Sequence, residues 1–349
     1  MTASRPAILV TGGAGYIGSH TVIELLREGK FDVISVDNFS NSNARTLDRV
    51  REISGKSFVN YVVDAADKPA LEQVFEAHPE IVGVIHFAAF KAVGESVADP
   101  LKYYENNLIS LLNILRLLDK FQVKNFIFSS SCTVYGNIDA LPVTEATPTT
   151  KAASPYGSTK LFGEQIIQDF AVAYPAVQSI ALRYFNPVGA HESGKNGEDP
   201  INRPNNLVPF ISQVASGVLP KLTVFGGDYP TRDGSCIRDY IHVTDVAIAH
   251  LRAFDYLLEG KNTANYEQYN LGAGLGVSVL EAIHAFEEVT GVNLNYEIGP
   301  RRPGDVVAIY SDSSLATSKF GWVAERDIKE MMRSAWAWQL HVNKERQLA

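Results

Sequence analysis

Two residues one helical turn apart, Tyr156 and Lys160, carry the strongest chemical signal in the chain. Side chains four residues apart project from one face of a helix, and Ser154 followed by Pro155 supplies an N-cap and a first helical residue just before them. A free phenol ionises near pH 10, so it serves as a base at neutral pH only where a nearby cation favours the phenolate. Lys160 is placed to be that cation. Tyr-x-x-x-Lys also arises by chance in ordinary helices, so the pair takes its meaning from its neighbours. Ser131, at the end of an expected strand, is one of them: a hydroxyl facing the same crevice can hydrogen-bond to a substrate oxygen as its charge changes. Read alone, that serine is equally a turn cap.

The elements that must position this trio begin with residues 7–10, an apolar run with the length of a buried strand. Thr11-Gly12-Gly13-Ala14-Gly15-Tyr16-Ile17-Gly18 follows at once, and a helical pattern then runs through Leu26. Strand, glycine turn and helix form the start of a dinucleotide-binding unit. Gly12, Gly15 and Gly18 let backbone approach a pyrophosphate, and the helix start with Tyr16 and Ile17 receives its charge. A structural turn is the bland alternative. The second strand, residues 33–36, ends in Asp37, about 20 residues past the last glycine, where a carboxylate holds the adenosine ribose and repels a 2′-phosphate. NAD is therefore expected over NADP.

Further apolar runs at residues 58–63, 82–87 and 125–128 alternate with helical patterns at 68–77 and 104–120. This alternation predicts an α/β fold, a Rossmann-type doubly wound parallel sheet whose ligands bind beyond the carboxyl ends of its strands. Asp37, Asp64, Phe87, Ala88 and Ser129 to Ser131 all fall at those ends. With a dinucleotide there, Ser131, Tyr156 and Lys160 suit removal of a proton from a hydroxyl while hydride leaves the same carbon. The expected division is an NAD-binding domain over residues 1–180 and a smaller α/β substrate lobe over 181–349. In the second lobe residues 188–202 read as an acidic, glycine-bearing loop over the site. Residues 243–258, 277–289 and 331–340 read as helices, with Trp336 and Trp338 packing a core.

Composition narrows the function classes. With 349 residues, 46% hydrophobic and 20% charged, the chain has the make-up of an ordinary globular protein. A net charge of −8 without a basic stripe excludes nucleic acid and anionic membrane as expected partners. The two cysteines, Cys132 and Cys236, have no metal-ligand spacing, so no metal is expected and a reducing, cytoplasmic setting fits. Residues 7–10 are too brief for a signal sequence, and no run approaches a membrane span.

Several longer motifs carry a resemblance. The glycine turn with spacing G-x-x-G-x-x-G, the run from His86 to Ser96, Ser129 to Gly136, and Tyr156 to Lys160 resemble the extended short-chain dehydrogenase/reductase family. Within it, the similarity is to the branch that inverts carbon 4 of UDP-hexoses in galactose metabolism. It continues through Arg183 to Asn186, Asn205 to Pro209, Phe225-Gly226, Asp228 to Thr231, Arg238 to Val243 and Arg301 to Asp305, and so spans nearly the whole chain. The resemblance implies roles residue by residue. Tyr156 is the acid and base, Lys160 lowers its pKa and holds the nicotinamide ribose, and Ser131 binds the sugar's 4-hydroxyl. Asp37, Asn38, Asp64, Ala65, Phe87, Ala88, Lys91, Asn106 and Tyr184 line the NAD site with the glycine turn. Asn186, Asn206, Leu207, Phe225, Arg238, Tyr240, Arg302 and Asp305 hold the UDP-sugar, arginine being suited to bidentate diphosphate contacts. It also implies a homodimer paired through the helices of residues 104–120 and of Tyr156.

Rival chemistries start from the same oxidation. A 4,6-dehydratase of this family has an Asp-Glu pair before its Val-Tyr-Gly, because elimination needs an additional acid and base; decarboxylating relatives also have a glutamate there. Here those positions are Cys132 and Thr133, which favours plain epimerisation. A regulatory NAD-binding protein would have no need of Tyr156 with Lys160. At the position facing the sugar's 2-substituent the family has tyrosine or a smaller residue, and the intermediate Ile309 leaves both plain and N-acetylated UDP-hexoses as candidates.

Overall fold

The computed structural model describes residues 5–348 apart from 139, 202, 203, 205, 303 and 304. Asn202, at the end of the acidic loop, together with Asn205, Pro303 and Gly304 from two of the motifs and the outermost residues at both ends, lies outside the described residues. In chain order the first elements are β1 (Ala7–Thr11), α1 (Tyr16–Glu28), β2 (Asp32–Val36), α2 (Arg45–Ser54), β3 (Val59–Tyr61), α3 (Lys68–Ala77), β4 (Ile81–His86), α4 (Val93–Ala98), α5 (Pro100–Lys120), β5 (Asn125–Ser131), a 3-10 turn (Cys132–Tyr135), α6 (Pro155–Ala173) and β6 (Gln178–Tyr184). There follow β7 (Asn186–Val188), α7 (Leu207–Ala215), β8 (Leu222–Phe225), β9 (Ile237–His242), α8 (Val243–Leu258), β10 (Tyr266–Leu271), β11 (Gly276–Ser278), α9 (Val279–Thr290), β12 (Tyr296–Gly299), β13 (Ala308–Ile309), α10 (Ser314–Phe320) and α11 (Ile328–Leu348).

Seven parallel strands form the main sheet in the order β10-β6-β5-β4-β1-β2-β3. The fold is the expected Rossmann-type α/β sheet. Side chains alternate across it: Ile8 and Val10 join one apolar layer, with α1 and α8, while Ala7 and Leu9 join the other, with α3 and α5. Strand order reverses between β1 and β4, which opens a crevice at their carboxyl ends. A boundary at residues 180 and 181 falls inside β6. Moreover β10 and α8, from far beyond it, complete the sheet and its covering layer. Sequential assignment of lobes misses this because the chain returns to the first layer after building part of the second.

The smaller lobe holds a four-stranded sheet in which β9 pairs with β7, β11 and β13, and a two-stranded sheet of β8 and β12. Its core gathers Val208, Ile211, Phe286 and Met332, with Trp336 against it, and Trp338 is buried beside Ala190 and Val342. The C-terminal helix is longer than residues 331–340, residues 277 and 278 belong to β11 and not to the helix after it, and in the first layer three elements depart from the sequence reading. Strand β3 is shorter than residues 58–63, since it lies at the sheet edge and Val62 turns out to solvent. Helix α5 starts a turn before Tyr104, capped by Asp99, whose carboxylate accepts the Lys102 N–H; exposed Leu101 hides that turn from apolar periodicity. Strand β5 runs on through the three serines, which pair with Leu182, Arg183 and Tyr184 of β6. Among the described residues no helix is long and apolar enough to cross a membrane.

Beneath the crevice, Arg183 of β6 donates to both carboxylate oxygens of Glu164 on α6, at 2.9 and 2.6 Å, with both side chains almost wholly buried. Ser130 also donates to Glu164, and Arg183 reaches the Tyr135 hydroxyl at 3.0 Å. Losing one member strands a buried charge, so Glu164→Leu is expected to destabilise the protein by about 3–5 kcal/mol. Urea unfolding of parent and variant measures this, and a loss under about 1 kcal/mol would sink the claim.

Candidate active site

Ser154 caps α6 as the sequence suggests: its hydroxyl accepts the Gly157 N–H at 3.2 Å, and Pro155 occupies the first turn. The helix lies close on the sheet because Gly163 faces Phe128, where a Cβ would sit 2.7 Å from the ring. That approach brings the Lys160 ammonium over the Phe128 ring, 5.0 Å from its centre, and lets it donate to the Ser129 carbonyl at 2.7 Å. The ammonium is 6.0 Å from the centre of the Tyr156 ring. Ser131 ends β5 beside them, its hydroxyl oxygen accepting the Thr133 N–H at 3.3 Å, so its O–H can still donate.

Burial governs the ionisation of this trio. It pushes the Tyr156 phenol up to about 12, against a downward pull from hydrogen bonding with the Ser131 hydroxyl. It also pushes Lys160 down to about 8, opposed by the charge of Glu164. In the protein by itself the phenol is therefore raised and not lowered, because loss of hydration outweighs the Ser131 hydrogen bond. The neighbouring Cys132 thiol is likewise raised to about 12 by burial.

Around the β1/β4 switch, Gly12 has φ +73° and a Cβ there would meet the Ala88 nitrogen at 2.9 Å. A Cβ on Gly18 would lie 2.1 Å from the Gly12 carbonyl oxygen. Helix α1 starts at Gly15 without a side-chain cap, leaving its positive end to a ligand. This cradle fits a dinucleotide pyrophosphate. Asp37 accepts the Ala14 N–H at 2.9 Å through one oxygen, and the Phe39 N–H and Ser42 hydroxyl through the other. A carboxylate has about four acceptor positions, so a ribose hydroxyl can still join. Asn38 donates to Asp64 at 2.9 Å; the buried Ala65 passes its carbonyl to Asn113.

Other expected cofactor-site residues share this side of the sheet. The Phe87 N–H donates to the Thr11 carbonyl, its ring is tilted against His250, and Tyr184 packs on the same histidine. Asn106 donates to Asn107, which braces Phe90 and Thr159. The Tyr16 phenol donates to the Gly189 carbonyl at 2.6 Å, while Ile17 packs against the core. Lys91 pairs with Glu198.

In the second lobe Asn186 lies opposite the buried Tyr240, and Arg238 opposite Ile309. Asp305 sits between two guanidinium groups, Arg238 at 3.4 Å and Arg302 at 2.7 Å, and Arg302 lies over Phe225. Asp239 is no partner of Arg238: it is buried and accepts from Ala273, Gly274 and Ser311. Arg301 pairs with Asp228 instead. Asn206 caps α7 without a side-chain bond to it, and Leu207 opens the helix.

Residues 9–335 match the family model described as GDP-mannose 4,6 dehydratase. UDP-glucose 4-epimerase of Erwinia amylovora is 52% identical over 335 residues, 95% of this chain and 97% of that protein. The chain belongs to the UDP-glucose 4-epimerase family. A crystal structure of the family from Bifidobacterium longum, in complex with NAD+ and UDP, is 51% identical with a TM-score of 0.91, covering 96% of this chain and 98% of that one. The UDP-Glc/GlcNAc 4-epimerase of Campylobacter jejuni is 35% identical with a TM-score of 0.82, covering 96% and 99%.

Two site residues escape sequence reasoning in this family member. Glu164 stands one turn beyond Lys160, a spacing that could have flagged it. Glu198 lies in the stretch read as a loop; in the fold, residues 189–198 are a loop closed by an Ala190 to Gly197 bridge and fastened to α1 by Tyr16 and Asn196.

Because Lys160 is lowered from 10.5 to about 8, the unfolded chain binds more protons than the folded one between those values. Stability therefore rises as pH climbs from about 8 to about 10.5. Lys160→Met removes the dependence, so its unfolding temperature should fall relative to the parent's as pH goes from 7.5 to 9.5. A constant difference between the two proteins would contradict a buried, lowered ammonium.

Proposed function

We propose that this protein is an isomerase that inverts carbon 4 of a UDP-hexose, interconverting UDP-glucose and UDP-galactose through a transient 4-keto sugar with bound NAD. The observation that carries the reading is the convergence of Ser131, Tyr156 and Lys160 at the carboxyl end of β5. NAD, when bound, accepts hydride from carbon 4, returns it to either face of the sugar, and brings a positive charge while oxidised. Tyr156 takes the proton of the 4-hydroxyl and gives it back, so it acts as base and then as acid. Lys160 holds the nicotinamide ribose and, with the oxidised ring's charge, opposes the burial that raises the phenol. Ser131 donates to the sugar oxygen as it gains charge.

In this reading Gly12, Gly15, Tyr16, Ile17, Gly18, Asp37, Asn38, Asp64, Ala65, Phe87, Ala88, Lys91, Asn106 and Tyr184 surround NAD. Asn186, Asn206, Leu207, Phe225, Arg238, Tyr240, Arg302 and Asp305 anchor the UDP end while the keto sugar turns over. Arg238 and Arg302 are held ready by Asp305, and a diphosphate would compete for their donors. Elimination, as in the dehydratases, calls for an additional acid that positions 132 and 133 do not supply, since Cys132 is buried with a raised thiol pKa and Thr133 does not ionise. The sugar-binding lobe begins after β6 and excludes the returning α8 and β10, and the chain through Tyr184 with those two carries NAD.

Ile309 is buried among Val134, Tyr135, Val143 and Phe185, so its bulk is fixed. Relative rates on UDP-galactose and UDP-N-acetylgalactosamine measure the room it leaves. We also propose a homodimer through α5 and α6, which pack together and leave Leu101, Ile109 and Phe162 exposed; sedimentation at the monomer mass would refute it. The resemblance and the two free cysteines support a place in cytoplasmic galactose metabolism.

Replacing Tyr156 with Phe removes only the phenolic oxygen. Turnover of UDP-galactose is expected to fall by at least about 100-fold, while NAD remains with the purified protein. A variant that keeps near-parental turnover would overturn the assignment of the base.

A further inference from the structure

We propose that Glu198 is a positioning residue that couples the dinucleotide site to the UDP-sugar site. A single atom, its Oε1, accepts from the Lys91 ammonium at 2.8 Å and from the Asn206 amide at 2.9 Å. These donors come from distant parts of the chain. Lys91 follows β4, and its ammonium lies 5.8 Å from the centre of the Tyr16 ring in the first turn of α1. Asn206 is the N-cap of α7 in the other lobe. The inference rests on the proposed function in one respect: Lys91 faces NAD and Asn206 faces the UDP-sugar.

The carboxylate is delivered by a segment that does not need it for support. The backbone carbonyl of Glu198 accepts the Trp338 indole N–H at 2.9 Å. Upstream, Tyr16 holds the Gly189 carbonyl and Asn196 donates to Ser19 at 2.9 Å. Glu198 is only 12% exposed at its side chain, so water competes poorly for it. Two donors on one acceptor are not independent. Whatever orients Lys91 also fixes the oxygen that Asn206 must reach, and the reverse holds equally. Ligand binding on one side therefore lowers the ordering cost on the other, and such coupling is reciprocal by thermodynamic necessity.

The test uses the full-length protein as purified with its nucleotide, parent beside Glu198→Gln, a change that keeps shape and removes charge. Retained NAD is followed after dilution, with and without UDP. In the parent, UDP should slow NAD loss about tenfold, within the usual range for coupled sites; in Glu198→Gln the factor should drop below about twofold. The Michaelis constant for UDP-galactose should rise several-fold, with a smaller fall in kcat. Equal protection by UDP in both proteins would overturn the coupling, as would a parent in which UDP changes nothing. A residue that merely fastened its loop would lower the unfolding temperature and leave the UDP factor intact, which also counts against it. Should Glu198→Gln fold poorly, Lys91→Met gives the second reading, with the same loss of the UDP factor expected. A parent protein holding neither NAD nor UDP would instead refute the proposed function, and this inference with it.

Discussion

A buried ammonium is the constraint on which the rest of the site depends. Lys160 lies between the ring of Phe128 and the carbonyl of Ser129, and it can stand there only because Gly163 lets α6 lie against the sheet. Desolvation disfavours charge on this amine and on the Tyr156 phenol alike. Each is pushed toward neutrality, yet their charged forms are opposite in sign and a single proton separates the two arrangements. An added positive charge nearby would favour the phenolate over the neutral phenol. The buried Glu164, neutralised by Arg183, sets the floor of this arrangement.

Above that floor, the crevice is made by two lobes that share chain rather than meeting end to end. The first layer is completed only by β10 and α8, after β7, α7, β8 and β9 have been laid down. Attachment runs the other way too: the loop of residues 189–198 is bonded to α1 of the first layer and to α11 of the second lobe. Groups for the two ends of a large ligand pair are thereby tied to one framework. Acidic as the whole protein is, it gathers two guanidinium groups, Arg238 and Arg302, around the single carboxylate of Asp305.

The family model that matches the chain bears a dehydratase description, while its near relatives are epimerases. The fold is common to both. In the short turn after β5 this chain has Cys132, whose thiol is raised to about 12 by burial, and Thr133. Fold alone would not have decided the chemistry; two side chains next to Ser131 bear on it more directly.

Local patterns made much of this readable from residues alone. The glycine spacing, the Ser154-Pro155 start of α6 and the bounds of α3 and α8 are set by backbone sterics, capping and apolar period, all of which act over a few residues. Tyr156 with Lys160 was legible for the same reason. The tertiary structure alone decided three further matters. It drew β10 into the first sheet and α8 onto its face, it closed the loop that presents Glu198 with a bridge from Ala190 to Gly197, and it aimed Asp239 away from Arg238. Each depends on contacts between segments far apart in sequence. The ionisation of Tyr156 belongs with these, because spacing places a cation near the phenol, whereas the loss of hydration that raises it depends on how deeply it is buried.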